Sequence, residues 1–428
     1  MCSNWGLFGL GHGHLGSHRT ARLRPSGRAM RILLLTQKLP LPLSDGYNLR
    51  MYHFVPRLAG RHELHLVSLD EGAAPDGFEA NFASVVRFPV RTPPPPGGLL
   101  ARALRAFSPD ELHDFDPALA ETVARTLARE PFDLVWAVGW KVLPYVAGVA
   151  GVAGVAGIAE PVFADVVDEG AHEAWVDLRK ARGPVELVRR LRTFVANRRF
   201  ERKYFARAAL CNFVSEADAR AAEEIVPGVE TSVVHNGVDA DFYAPLDVAP
   251  DHPSLVFEGG MRHPPNYEGI VHFCEHVLPL VRRDVPDVKL WIVGKDPLPR
   301  VRALAGPKVV VTGFVEDVRP YLARASVFIS PLIGGAGIKN KILQAWAMEK
   351  AVVSTSVSCG GLRAEHEKNL LVADGKGNFA AACVRLLGDE ILRSELGAAG
   401  RRVVLEHYSW DAKAAELEAL LARAASQR

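Results

Sequence analysis

Short apolar runs alternate along the whole chain with longer stretches of helical periodicity, the pattern of parallel β-sheets whose two faces are covered by helices. In the first half the runs are RILLLT (31–36), ELHLVSL (63–69), VVRFPV (85–90), FDLVWAVG (132–139), PVFADVVD (161–168) and ALCNFVS (209–215). In the second they are SLVFEGG (254–260), VKLWIVG (288–294), VVVTGFV (309–315), ASVFISP (325–331), KAVVSTS (350–356) and NLLVAD (369–374). Each set of six predicts one doubly wound, Rossmann-like sheet. The expected fold class is therefore α/β with two such domains, 30–235 and 236–408, joined through TSVVHNGVDADFYAP (231–245). A length of 428 residues agrees, since it exceeds what one core ordinarily holds. Open sheets of this kind bind ligands beyond the carboxyl ends of their strands, so two domains facing across a cleft would aim their strand-following turns into it.

Charge and cysteine usage narrow the function classes. Four of the 51 basic residues (Arg19, Arg22, Arg24 and Arg28) fall in residues 1–29, which hold no acid, and the rest of the chain is near neutral. That argues against a nucleic-acid partner held by bulk charge. The five cysteines are widely spaced with no CxxC, which indicates neither a zinc site nor a disulfide framework and fits a reducing, cytoplasmic setting. Residues 1–29 read as a disordered leader or as sequence before a true start at Met30. Val142–Ala159 carries no charge, but its Gly and Ala contribute little transfer energy and Pro144 interrupts it, so it reads as an expanded helix or loop between strands.

The stretch GGAGIKNKILQAWAMEK (334–350) follows the run VFISP directly, so Gly334, Gly335, Ala336 and Gly337 form a turn into a helix that begins near Ile338. Free N–H groups at such a helix start favour an anion, phosphate above all. Lys339 and Lys341 would add full charges, with Lys341 the preferred direct contact. Taken alone, such a turn serves close packing as readily as phosphate.

This stretch, with VVHNGVDADFYAP, GGMRHPPNYEGIVHFCEHVLPLVRRDVPDVKLWIVGKDP, VTGFVEDVRPYLARASVFISPL and YSWDAKAAELEALL in their order along the chain, resembles the nucleotide-binding half of glycosyltransferase family 4. That family comprises retaining enzymes of the GT-B fold, and the likeness is strongest to the branch associated with bacterial exopolysaccharide synthesis. It covers most of residues 231–424, and LLLTQKLPLPLSDGYNLRMYH and FADVVDEGAHEAW extend it more loosely into the first half. The resemblance implies a nucleotide-diphosphate sugar as donor, a glycan or lipid-linked acceptor, and a last helix, 409–428, that crosses back to the first domain. It brings Gly259, Gly260 and Arg262 to the diphosphate, with Lys341 and the turn of Gly335, Ala336, Gly337 and Ile338 on its other side. An arginine suits phosphate because its planar fork grips two oxygens. Gly294, Lys295 and Val315 would line the base and ribose. No cofactor or metal is required.

The family usually carries two glutamates eight positions apart, the first meeting the donor sugar and the second the ribose; here Ala336 and Gln344 stand in those places. An amide accepts through one oxygen where a carboxylate accepts through two. Losing one charge-assisted bond weakens ribose binding about ten-fold if nothing compensates. Trp346 and Glu349 stand where the branch has Met and Gly, and Glu349, unfavourable with the helix dipole, reads as a surface change.

In the first half, the resemblance makes Gly46 the candidate for close backbone approach to the diphosphate and acceptor, with Asp45 second; the alternative is a plain turn before a helix. Asn48 and Arg50 either reach the cleft or face solvent. Asp165, Asp168, Glu169, His172 and Glu173 crowd a strand end, where acid–base or hydroxyl-binding work is done. Asp168 is the first choice for orienting the acceptor hydroxyl and His172 the second. Residues 179–207 hold eleven Arg or Lys and two acids, interleaved with Leu187, Leu191, Phe194, Phe200 and Phe205. This reads either as a helix docking on the anionic inner face of a membrane or as a basic face met by solvent and acceptor phosphates. The rival to a transferase is a non-catalytic nucleotide-sugar-binding or scaffold protein with a degenerate site.

Overall fold

The structure, a computed structural model, describes residues 28–41, 46–69, 73–88, 117–146, 159–167, 170–179, 183–334 and 339–427. Their strands form two sheets. The first contains β1 (Arg31–Thr36), β2 (Glu63–Ser68), β3 (Ser84–Arg87), β4 (Leu134–Val138), β5 (Val162–Val167), β6 (Leu210–Phe213) and β7 (Thr231–Val233), in the order β3-β2-β1-β4-β5-β6-β7. The second contains β8 (Ser254–Glu258), β9 (Lys289–Val293), β10 (Val309–Gly313), β11 (Val327–Ser330), β12 (Ala351–Ser354) and β13 (Leu371–Val372), in the order β10-β9-β8-β11-β12-β13. Every pairing is parallel. Both sheets are α/β doubly wound layers of the Rossmann kind, and in each the order reverses beside the first strand, between β1 and β4 and between β8 and β11.

The central strands are apolar on both faces because helices cover both. In β8, Leu255 and Phe257 enter one core with Ile270 and Ile329, while Val256 enters the other with Ile342, Leu343 and Trp346. In the first sheet, Leu33, Leu35, Val135, Ala137 and Ala164 share a core with Phe200, Tyr204 and Phe213.

Two elements depart from the sequence reading. The first sheet has seven strands: Thr231–Val233, taken as junction, pairs with β6 as a short, half-buried edge with one large apolar side chain, too little pattern to stand out. At the other sheet's edge the run NLLVAD contributes only Leu371–Val372.

The described chain divides into two compact units, one holding Gly237–Ala412 and the other the chain up to Asn236 together with the segment from Lys413 onward. The division falls inside the last helix, Trp410–Ala425. Within the first-sheet unit Glu418 pairs with Arg61 and, at 3.2 Å, with His62, and Gln427 donates to Glu230 at 2.6 Å.

The basic segment forms the helix Pro184–Tyr204, and its apolar residues divide by position. Phe200 and Tyr204, and Phe205 beyond the helix end, are buried in the first core. Glu201, also buried, accepts from the Ala171 N–H at 2.8 Å, and Asn197 donates to the Gly170 carbonyl at 2.9 Å, which fastens the helix Gly170–Leu178 to it. The first half leaves Val185, Leu187, Val188 and Leu191 exposed. Among the described residues no helix is long and apolar enough to cross a membrane.

Candidate functional site

The reversal point of the second sheet gathers the residues singled out for phosphate. β8 ends at Glu258, and the chain turns through Gly259–Gly260–Met261–Arg262 into the helix Pro264–His272. β11 runs through Pro331 and Gly334 towards the helix Asn340–Ala347. Of the predicted turn, Gly335, Ala336, Gly337 and Ile338 lie outside the described residues.

Lys341 lies across the end of β8. Its Nζ donates to the Glu258 carbonyl at 2.8 Å and to Asn266 Oδ1 at 2.6 Å, 4.5 Å from the centroid of the Phe257 ring. Asn266 in turn donates to the Gly260 carbonyl at 3.0 Å, so one amide holds both the lysine and the glycine turn. A Cβ on Gly259 would come within 2.7 Å of both Lys341 Nζ and Asn266 Nδ2, which explains that glycine. Gly294 has a packing reason as well: a Cβ there would lie 1.9 Å from the Gly259 carbonyl oxygen. Gly260 has none, since a Cβ would meet nothing within 4 Å, and it borders open space.

Four titratable groups around this turn are shifted by burial. Burial pushes Lys341 down to about 7, against the opposing pull of Glu258, and its two hydrogen-bond acceptors are neutral. Burial also lowers Lys339, and burial with the nearby Lys341 and Lys339 lowers His263. Cations held below their ordinary range by desolvation regain full charge when an anion joins them. Burial raises Glu258 to about 7, with the charge of Lys341 acting the other way.

Arg262 is exposed and lines a hollow of about 250 Å³ with Asp296, Pro297, Leu298, Pro299 and Arg302. Asp296, Pro297 and Arg302 also border a second hollow, of about 480 Å³, reaching Thr312, Gly313 and Phe314 at the end of β10. Phe314 is 61% exposed there, an aromatic face available for a base, whereas the predicted Val315 is half-buried against the core. Lys295 contributes its carbonyl, which accepts from the Met261 N–H at 3.0 Å. Gln344 donates from Nε2 to the Tyr243 hydroxyl at 2.9 Å. Tyr243 is buried, and burial followed by the charges of Glu258 and Asp317 pushes its phenol above the ordinary range.

In the first-sheet unit, Gly46 opens the helix Gly46–Ala59, and a Cβ there would lie 2.7 Å from Asn236 Nδ2. Asn48 and Arg50 neither face solvent nor reach an open surface: both are buried. Arg50 grips Asp165 through NH2 at 2.9 and 3.2 Å and donates through NH1 to the Val234 carbonyl at 2.7 Å. Asn212 donates to the same carboxylate at 2.9 Å. Asp165 thus leaves the acid cluster and becomes half of a buried ion pair tying the first helix to β5 and the chain after β7. Asp45, Asp168 and Glu169 lie outside the described residues; His172 falls on the helix Gly170–Leu178, its side chain also outside them.

Glu258, Asn266, Tyr243 and Phe314 escaped the sequence reading. The acid in the otherwise apolar run SLVFEGG was the available signal for the first; the others show only once the turns are packed.

Comparison with known proteins agrees with this architecture. A family model described as "Glycosyl transferase 4-like domain" matches residues 45–237, and one described as "Glycosyl transferases group 1" matches residues 252–389. The lipopolysaccharide core biosynthesis glycosyltransferase LpsE of Rhizobium meliloti is 27% identical over 178 residues, 40% of this chain and 49% of the relative. The GDP-mannose-dependent alpha-(1-6)-phosphatidylinositol monomannoside mannosyltransferase of Mycobacterium tuberculosis is 33% identical over 156 residues, 33% of this chain and 40% of the relative. The chain thus spans less than half the length of these curated relatives. Among solved structures, Anabaena Alr3699/HepE in complex with UDP superposes with a TM-score of 0.60 at 16% identity, covering 92% of this chain and all of that one. Matched in both halves, and built on the two sheets of the GT-B fold, the chain belongs to the glycosyltransferases of family 4.

Proposed function

We propose that the protein transfers a sugar from a nucleotide-diphosphate sugar to a glycan or lipid-linked acceptor in polysaccharide synthesis, with retention at the anomeric carbon. The observation that carries this reading is the buried Lys341 ammonium, held by Asn266 and the Glu258 carbonyl against the glycine turn at the reversal point of the second sheet. Arg262 and the joined hollows extend from that turn, giving the diphosphate a cationic end and the base an aromatic one. The HepE structure holds UDP, the mycobacterial relative is named for GDP-mannose, and LpsE is named for the lipopolysaccharide core; these names support the donor class and the polysaccharide role.

In the reaction the acceptor oxygen bonds to the anomeric carbon as the bond from that carbon to the diphosphate oxygen breaks. The leaving diphosphate keeps the electron pair, and a phosphate oxygen takes the acceptor proton. Negative charge grows on the diphosphate, so Lys341 and Arg262, with Lys339 nearby, act by stabilising it. Asp168 and His172 are the groups assigned to orienting the acceptor. The exposed apolar first half of the helix Pro184–Tyr204, with Arg189, Arg190 and Arg192 beside it, suits a peripheral contact on the cytoplasmic face of an anionic membrane, where a lipid-linked acceptor resides.

The test is release of nucleoside diphosphate from UDP-glucose, GDP-mannose and ADP-glucose, with and without added bacterial glycolipid extract. One donor is expected to turn over, faster with extract, and Lys341→Ala should lower the rate by roughly 10²-fold or more, the usual consequence of removing one charge-stabilising donor. Nucleotide binding without release from any donor would replace this reading by that of a nucleotide-sugar-binding scaffold.

A further inference from the structure

Glu258 has no place in the diphosphate chemistry just described, and its surroundings call for one. Its carboxylate ends β8 on the face of Val256, the side covered by the helix Asn340–Ala347. The residue is 1% exposed, and Oε2 is buried without a hydrogen-bond partner among the described residues. Lys341 does not answer it: that ammonium bonds to the backbone carbonyl of Glu258 and to Asn266, and no ion pair joins it to the Glu258 carboxylate among the described residues. A buried carboxylate left with unused acceptor capacity is costly to folding, and such groups persist where a ligand supplies the missing donors.

Its neighbours identify the donors. Gln344 lies one helical turn beyond Lys341 and is tethered to the Tyr243 hydroxyl, whose own proton is held more tightly by burial first and then by the Glu258 charge. Glu258 therefore shares the surroundings of the amide that stands where the resemblance calls for a ribose-binding acid. A carboxylate offers two acceptor oxygens to a pair of vicinal hydroxyls, which an amide cannot.

We propose that Glu258 is the ribose-binding acid of this chain, accepting hydrogen bonds from the 2′- and 3′-hydroxyls of the donor nucleotide in place of the carboxylate that Gln344 lacks. The assignment rests on the nucleotide-diphosphate reading above and adds a specificity residue to the same site. Gln344, fixed by Tyr243, borders the hydroxyl pair, and the ammonium of Lys341 close by offsets the negative charge brought near the diphosphate.

Calorimetric titration of the full-length protein with UDP, GDP, ADP and their 2′-deoxy and 3′-deoxy analogues tests this. The wild-type protein is expected to bind one ribonucleotide about ten-fold more tightly than at least one of its deoxy analogues, the value of a charge-assisted hydrogen bond. Glu258→Gln, which keeps the shape of the side chain, should bring the ribonucleotide down to the affinity of that analogue while leaving the analogue itself nearly unchanged. A carboxylate present only to balance Lys341 would instead weaken all of these ligands alike. Equal binding of ribo- and deoxynucleotides by the wild-type protein overturns the inference without any variant, and a preference that survives in Glu258→Gln overturns it while the donor reading stands. Absence of binding by UDP, GDP and ADP alike overturns the donor reading and this inference with it.

Discussion

At the scale of single residues, the second domain holds three side chains or backbones against their own preferences, and in different ways. Lys341 is a buried cation bonded to neutral acceptors, and Glu258 is a buried carboxylate with an unused oxygen; the proposed nucleotide would relieve both. Glu349 is relieved by nothing of the kind. It ends the helix Asn340–Ala347 in the left-handed region, φ 55°, where glycine is the favoured residue, and it pairs with Arg401 at 3.7 Å, partly exposed to solvent. The sequence had presented it as a surface change opposed by the helix dipole; the backbone conformation is the larger liability. A non-glycine residue there costs about 1 kcal/mol or more, and an exposed ion pair returns a fraction of that. Glu349→Gly is therefore expected to raise stability by roughly 0.5–1 kcal/mol in urea unfolding with nucleotide affinity unchanged; a loss of stability would show that the Arg401 pair outweighs the backbone. The Arg50–Asp165 pair predicts the opposite sign. Asp165→Asn leaves a buried guanidinium without its counter-charge and should lower stability by about 3–5 kcal/mol in the same measurement, whereas a change below about 1 kcal/mol would mean that Asn212 and the Val234 carbonyl suffice.

At the scale of elements, the helix Asn340–Ala347 is placed by its partners as much as by its own pattern. Trp346 is fully buried, and the helix Glu390–His407 accommodates it through Gly400, where a Cβ would fall 2.3 Å from the indole Cδ1. Gly397 does the same for the Glu349 carbonyl, at 2.1 Å. The unusual Trp346 and Glu349 are thus matched by two glycines half a hundred residues on, in the helix that packs on the one carrying Lys341 to the end of β8 and Gln344 to Tyr243. The central strands were legible because burial on both faces makes an apolar run unmistakable: RILLLT is β1 residue for residue. The edges were not, since β7 is half-buried and pairs on one side only. Glycines that follow strands were legible as turn residues, but why each is glycine was not: Gly259 answers to Lys341 and Asn266, Gly294 to the Gly259 carbonyl, and Gly260 to neither. Asn266 and Glu258 went unnoticed because their partner, Lys341, is 75 and 83 residues away in the chain, and no local pattern announces that contact.

At the scale of the whole molecule, the two sheets carry their charges differently. The reversal point of the second-sheet unit has a buried lysine, glycines and open hollows beside it. In the first-sheet unit the Arg50–Asp165 pair, which joins the first helix to β5, is buried. From this asymmetry we propose that the anionic donor binds the second-sheet unit, and that is the central claim of the account. Thermal unfolding in the presence of UDP, GDP and ADP tests it most directly. A ligand at 100 times its Kd stabilises its domain by about 2.7 kcal/mol, which for a domain of this size raises Tm by roughly 5–10 °C. The account predicts such a rise for one of the three nucleotides and its disappearance in Lys341→Ala. No rise with any of them at millimolar concentration, or an undiminished rise in Lys341→Ala, would contradict it.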